Sequence, residues 1–182
     1  MSTDHPFNTV VSRHSYQISP WLEMFETEIE TPDGLQLWHT IKPFDYVTAL
    51  VETSCGQIAL VQQLRAVGTR VTTEFPGGLL EEGESPEACI RREIREEVGL
   101  EARSIMFLAE MIPDTGRLEN RLYAFYVKDC EFIASFQAEN GLVPLFMKKE
   151  HFRSYVLQGN LVSAINIAIL GQALMQGHFQ FD

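Results

Sequence analysis

Between Gly78 and Leu100 the chain reads GLLEEGESPEACIRREIREEVGL, and no other stretch restricts fold and chemistry so tightly. Gly78, Glu84, Arg92, Glu93, Glu96, Glu97 and Gly99 stand at fixed offsets, with aliphatic Ile94 and Leu100 among them. Ser85-Pro86-Glu87 is a helix-start signal: a hydroxyl for the N-cap, proline at the first helical position, and an acid in the first turn. The spacing predicts a helix over 86–98 that stops at Gly99, a C-cap glycine. Ile90, Ile94 and Val98 repeat every four residues and form the stripe that anchors it to a core. Glu93, Glu96 and Glu97 are spaced i, i+3, i+4 and share a different face.

Like charges on one helix face repel, so these acids need a reason to be there. Mg²⁺ supplies one, because it takes hard oxygen ligands and is held by one or two carboxylates plus substrate phosphates. The plainer reading is a solvated acidic face with Arg91, Arg92 and Arg95 as neighbours. The preceding loop, Phe75-Pro76-Gly77-Gly78, tips the balance, since it is small enough for backbone to approach a metal or phosphate. It is neither a P-loop nor a dinucleotide fingerprint, for no G-K-[ST] or G-x-G-x-x-G is present.

The stretch satisfies G-x5-E-x7-R-E-U-x-E-E-x-G-U, with U aliphatic, at every specified position. At average residue usage a random chain of this length shows it with odds on the order of one in ten million. In these residues the chain resembles the Nudix hydrolases, which cleave nucleoside diphosphates linked to another moiety. Gln62-Gln63-Leu64-Arg65 followed by Glu74-Phe75-Pro76-Gly77-Gly78 is similar to the Q-x-R … E-F-P-A-G run of the ADP-ribose pyrophosphatase branch. Pro113-Asp114-Thr115-Gly116 and Arg121-Leu122-Tyr123-Ala124-Phe125 resemble that branch's P-S-P-G … E-R-hydrophobic strand. The likeness runs from Trp21 to Gln176. Gly77 replaces the usual alanine, a change expected to be harmless, while Thr115 and Asn120 depart from a proline and an acid.

The resemblance implies an α/β fold, a Nudix-type α/β/α sandwich around a mixed sheet, with an N-terminal strand extension. Residues 1–44 would form that extension, used for dimerisation and substrate contact, and residues 45–182 the hydrolase domain. It implies Mg²⁺, with Mn²⁺ as a substitute, held by Glu93, Glu97, the Gly77 carbonyl and, with more than one ion, Glu96. Glu96 and Arg92 belong to the expected catalytic centre, Arg92 mainly by tying loop to helix through Glu84. The reaction would be substitution at phosphorus by metal-polarised water. The general base expected in the loop before the last strand is Glu139, with Glu131 in reserve. Arg65, Glu74, Trp21 and Trp38 are the expected substrate contacts, although core or interface packing is the commoner fate of tryptophan. ADP-ribose is the first-choice substrate, giving AMP and ribose 5-phosphate. The alternatives are a dinucleotide or oxidised-nucleotide pyrophosphatase of the same fold and a non-catalytic ADP-ribose-binding module. A homodimer is expected, in keeping with the commonest closed symmetry.

Composition narrows the partners. At 182 residues, 45% hydrophobic, the chain has the size and content of one globular domain with an extension. A net charge of −11 argues against a nucleic-acid surface, yet a metal ion can supply local positive charge for a diphosphate. Cys55, Cys89 and Cys130 form no C-x-x-C, and with His5, His14, His39, His151 and His178 make no zinc spacing. The polar N-terminus has no signal-peptide core, and the apolar run 161–175 is too short to span a bilayer. A cytoplasmic protein with no membrane partner is the expectation.

The pattern predicts hairpins over 22–30/35–42 and 46–52/57–64, strands over 104–112, 121–127 and 142–147, and helices over 148–157 and 162–176.

Overall fold

The structure is a computed structural model that describes residues 8–181. His5 lies outside them. Three strands come first: β1 (Thr9–Ser19), β2 (Leu22–Thr31) and β3 (Gly34–Lys42). They are followed by β4 (Tyr46–Thr53), β5 (Gln57–Arg65), β6 (Arg70–Glu74) and helix α1 (Pro86–Val98). Next come β7 (Leu100–Glu101), β8 (Ser104–Met111), β9 (Leu122–Phe132), β10 (Leu142–Lys148), α2 (Lys149–Leu157) and α3 (Ala164–Met175). Contacts divide the chain into two units, one comprising the residues up to Phe44 together with Ile112–Arg121, the other the rest.

In the first unit β1, β2 and β3 form an antiparallel sheet. The later segment joins its edge: the Ile41 amide donates to the Arg117 carbonyl at 2.8 Å, and the Glu119 amide donates to that of Ile41 at 3.0 Å. Arg13 and Thr40 both bond the Glu119 carboxylate, and Asn120 Nδ2 donates to the Phe44 carbonyl at 2.9 Å. β1 was not expected. Its residues, TVVSRHSYQIS, mix polar and apolar types, and almost all are exposed, so burial writes no period-2 pattern into them. Pairing with β2 makes it a strand.

The second unit is built on a mixed sheet of order β10-β5-β4-β9-β7, with β6 added on β5 and β8 on β9. β4 and β9 run parallel, and the remaining pairs are antiparallel. The period-2 alternation of β4 and β5 sorts their side chains into two cores. Val47, Ala49, Val51, Ala59 and Val61 pack with Cys89, Ile90, Ile94 and Val98 of α1. Leu50, Ile58 and Leu60 pack with Phe152 of α2 and Ile169, Leu170 and Ala173 of α3. Helices on both faces of a mixed sheet make the expected α/β/α sandwich. β9 runs to Phe132, past the expected end at Val127, because its far end also pairs with β7. No helix among the described residues is long and apolar enough to cross a membrane.

Candidate functional site

Helix α1 carries the acids, and its ends form as the sequence dictates. Ser85 Oγ accepts from the Ala88 amide at 3.2 Å, and Gly99 closes the helix in the left-handed region at φ 64°. The apolar stripe points into the core and leaves Glu93 and Glu97 partly and fully buried against the loop before the helix.

That loop runs alongside β4. The Val47 amide donates to the Gly78 carbonyl at 2.9 Å, and the Ala49 amide to that of Pro76 at 3.0 Å. Between these bonds the Gly77 amide donates to Glu97 Oε2 at 2.9 Å rather than to β4, as alternation along an extended chain allows. A Cβ at Gly77 would stand 2.2 Å from the Val47 carbonyl oxygen, so this glycine is fixed by close approach to β4. A Cβ at Gly78 would stand 2.1 Å from Glu93 Oε1, so the missing side chain is the space the carboxylate occupies.

Arg92 organises the outer side of the cluster. Its Nε and Nη2 donate to the two oxygens of Glu84, each at 3.0 Å, a bidentate pair. Its Nη1 donates to Glu93 Oε1 at 2.7 Å and to Glu96 Oε2 at 3.1 Å. The guanidinium holds Glu84 down to about 2. Glu97 goes the other way. Burial, helped by the charges of Glu93 and Glu139, pushes it up to about 7 against the pull of the Gly77 amide and Arg65. Burial also raises Glu93, against Arg92.

The remaining expected residues are distributed unevenly. Arg65 and Glu74 meet each other: Nε to Oε1 at 3.0 Å and Nη2 to Oε2 at 2.7 Å. The edge of Arg65 that suits a phosphate is thus occupied by a carboxylate. Burial disfavours ionisation of Glu74, but Arg65 and a 2.5 Å bond from Thr72 Oγ1 together hold it below its usual range. The charges of Arg65 and Glu139 both act on Glu97, and Glu139 is exposed on its loop. Glu131 instead pairs with Arg103 at 2.6 Å. Trp21 and Trp38 belong to the first unit, 65% and 47% exposed, and Trp38 Nε1 donates to Gln36 Oε1 at 3.2 Å. Sequence reasoning missed β6, whose Arg70, Thr72 and Glu74 alternate onto one face. The signal was present in RVTTE, short but β-rich before the glycine loop.

The carboxylate oxygens of Glu93 and Glu97 are donors of the kind that suits a hard divalent cation. Among the described residues no three acidic, histidine or cysteine side chains assemble into a cage of their own. Mg²⁺ is usually bound without one, through one or two carboxylates, waters and substrate phosphates.

A family model described as the NUDIX domain matches residues 42–158. The chain is 28% identical over 109 residues to an ADP-ribose pyrophosphatase of Bacillus subtilis (strain 168), an alignment covering 59% of each chain. That span is under two thirds of the relative's own length. With an ADP-ribose pyrophosphatase of Mycobacterium tuberculosis it shares 26% identity over 171 residues, covering 91% of this chain and 82% of that protein. A solved structure described as an ADP compounds hydrolase superposes with a TM-score of 0.79 at 16% identity, over 96% of both chains, a likeness of fold.

Proposed function

The chain belongs to the Nudix family, and from that membership we propose that it hydrolyses the diphosphate bond of nucleoside diphosphate sugars, ADP-ribose foremost. The observation that carries the reading is the buried Glu97 carboxylate. It is bonded to the Gly77 amide and stands beside Glu93, which fills the space above Gly78. A carboxylate costs free energy to bury without a cation, so this pair is a site for one.

Glu93, Glu97 and the Gly77 carbonyl would hold Mg²⁺, or Mn²⁺ in its place, and exposed Glu96 would join for a further ion. When bound, the metal neutralises charge on the diphosphate and polarises water. The chain's own residues do the rest. Arg92 and Glu84 lock loop to helix and keep the Glu93 oxygens aimed. Glu139, exposed yet close enough to act on Glu97, is suited to take the proton of the attacking water. Arg65 and Glu74 flank the same cluster and orient the substrate.

Trp21 and Trp38 offer flat, exposed faces for an adenine ring. Val10, Tyr16, Leu35 and Leu37 are also exposed on the first unit, an apolar surface that a second copy of the chain would cover, in line with a homodimer. The named relatives, both ADP-ribose pyrophosphatases, favour ADP-ribose. A panel of ADP-ribose, GDP-mannose, NADH and dinucleoside polyphosphates with Mg²⁺, resolved by product analysis, tests the assignment. ADP-ribose should give the highest kcat/KM, with AMP and ribose 5-phosphate as products.

A further inference from the structure

A cavity of about 460 Å³ is lined by Arg65, Val67, Arg70, Glu74, Val162 and Ser163. Two strands and a helix start build it. β5 and β6 pair in a register that sets Arg65 directly opposite Arg70. Like charges directly opposite each other on one face of a sheet repel, so the arrangement is unfavourable in the free protein. Arg65 escapes by reaching back along β6 to Glu74, with which it forms a closed, mutually neutralised pair. Among the described residues Glu74 is the only acid that lines the cavity, and no ion pair is formed by Arg70, although the chain carries 25 acidic residues against 14 basic ones. Arg65 and Glu74 cancel, so the cavity is left with the uncompensated charge of Arg70. At the far wall Ser163 caps α3, and the positive end of that helix adds to the field. Val67 and Val162 give the remaining wall an apolar surface fit for the face of a ring.

The chain itself links this cavity to the acidic cluster. Glu74 ends β6, Gly77 lies three residues on, and the Arg65 charge is felt at Glu97. A substrate whose diphosphate lies at Glu93 and Glu97 can extend one moiety along the face that carries Glu74, Thr72 and Arg70. At about 3.3 Å per residue, Arg70 is roughly 13 Å from Glu74 along the strand, the reach of a sugar beyond a diphosphate.

We propose that this cavity is the subsite for the distal moiety of the substrate, and that Arg70 there binds an anionic group, a phosphate or a carboxylate, on that moiety. The proposal rests on the diphosphate-hydrolase reading and adds a preference: substrates with a charged distal sugar are favoured over neutral ones of the same size. Arg70 is exposed and makes no bond that its loss would break, so its variants fold.

Matched pairs test it: UDP-glucuronate against UDP-glucose for a carboxylate, and ADP-ribose 1″-phosphate against ADP-ribose for a phosphate. In the wild type the anionic member of at least one pair has the lower KM, and which pair responds identifies the group. Arg70→Ala raises that KM about tenfold, the size expected for a lost charge-assisted bond, with kcat and the neutral partner unchanged. Arg70→Lys restores part of the difference, and Arg153→Ala, which removes an exposed charge from α2, leaves it intact. Calorimetric binding of the same pairs in EDTA reports the preference without turnover. Equal KM values within both pairs, or an Arg70→Ala effect equal on both members, overturn the subsite while leaving the hydrolase reading standing. Absence of turnover on every substrate refutes the hydrolase reading, and the calorimetric preference then decides the subsite alone.

Discussion

The Gly77 amide donates to Glu97 Oε2 at 2.9 Å, across twenty residues of sequence, and so latches the glycine loop to the acidic helix. One bond thereby fixes a backbone segment and a carboxylate that the same cation would need. The consequences are measurable without substrate.

Metal-free protein should become less stable as pH rises toward 7. Glu97 is pushed up to about 7 by burial, whereas in the unfolded chain it ionises near the ordinary carboxylate value, so the folded state holds the extra proton between these limits. Stability contributed this way is present at low pH and lost as pH climbs through that window. Glu97→Gln keeps an acceptor for Gly77 and cannot ionise. In EDTA, the unfolding free energy of the wild type minus that of the variant should fall between pH 5 and 7 and then level, a change on the order of 3 kcal/mol. A difference independent of pH would refute the buried charge.

Glu84 should show the opposite dependence. Arg92 holds its carboxyl at about 2, so its stabilisation is complete above the unfolded value and disappears as pH falls through the range from about 4 to 2. The Tm gap between wild type and Glu84→Gln should therefore close on acidification. A double-mutant cycle with Arg92→Ala should give a coupling of about 2 kcal/mol at pH 7, the scale of a charged hydrogen-bonded pair. Zero coupling contradicts the latch.

Gly78→Ala tests the close packing of loop and helix. The new Cβ would fall 2.1 Å from Glu93 Oε1, so the carboxylate must move or the loop must shift. Mg²⁺ affinity, read by calorimetry, should weaken by at least about tenfold, while Tm drops by the equivalent of about 1–3 kcal/mol. Unchanged metal affinity would show that Glu93 is free to relocate.

Glu139→Gln should lower kcat roughly 10²-fold at saturating Mg²⁺ with little change in KM, as removal of a general base does. Near-full activity would move that role elsewhere, and Glu131, tied to Arg103, is poorly placed to take it.

How much of this was legible differs from element to element. Helix α1 was legible to the residue, from the Ser85 cap to Gly99, because capping and apolar spacing are local physics. The pairing of Arg92 with Glu84 is implied by the family resemblance rather than by local physics. The union of Arg65 with Glu74 did not, since it depends on the β5–β6 hairpin and on β6 being a strand at all. Nor did β1, an exposed strand whose formation depends on partner pairing rather than burial. Glycine in place of the family's usual alanine at 77 reads as harmless in isolation, and only its distance to the Val47 carbonyl explains its identity. Long-range register is what the linear pattern leaves out.

The central claim is that Glu93 and Glu97 load a divalent cation to hydrolyse a diphosphate. Its most direct measurement is turnover of ADP-ribose by wild type, Glu93→Gln and Glu97→Gln, with Mg²⁺ and with EDTA. The account predicts Mg²⁺-dependent release of AMP and ribose 5-phosphate by the wild type, none in EDTA, and a loss of roughly 10²-fold or more in each variant. Full activity of either variant, or turnover undiminished in EDTA, would contradict it.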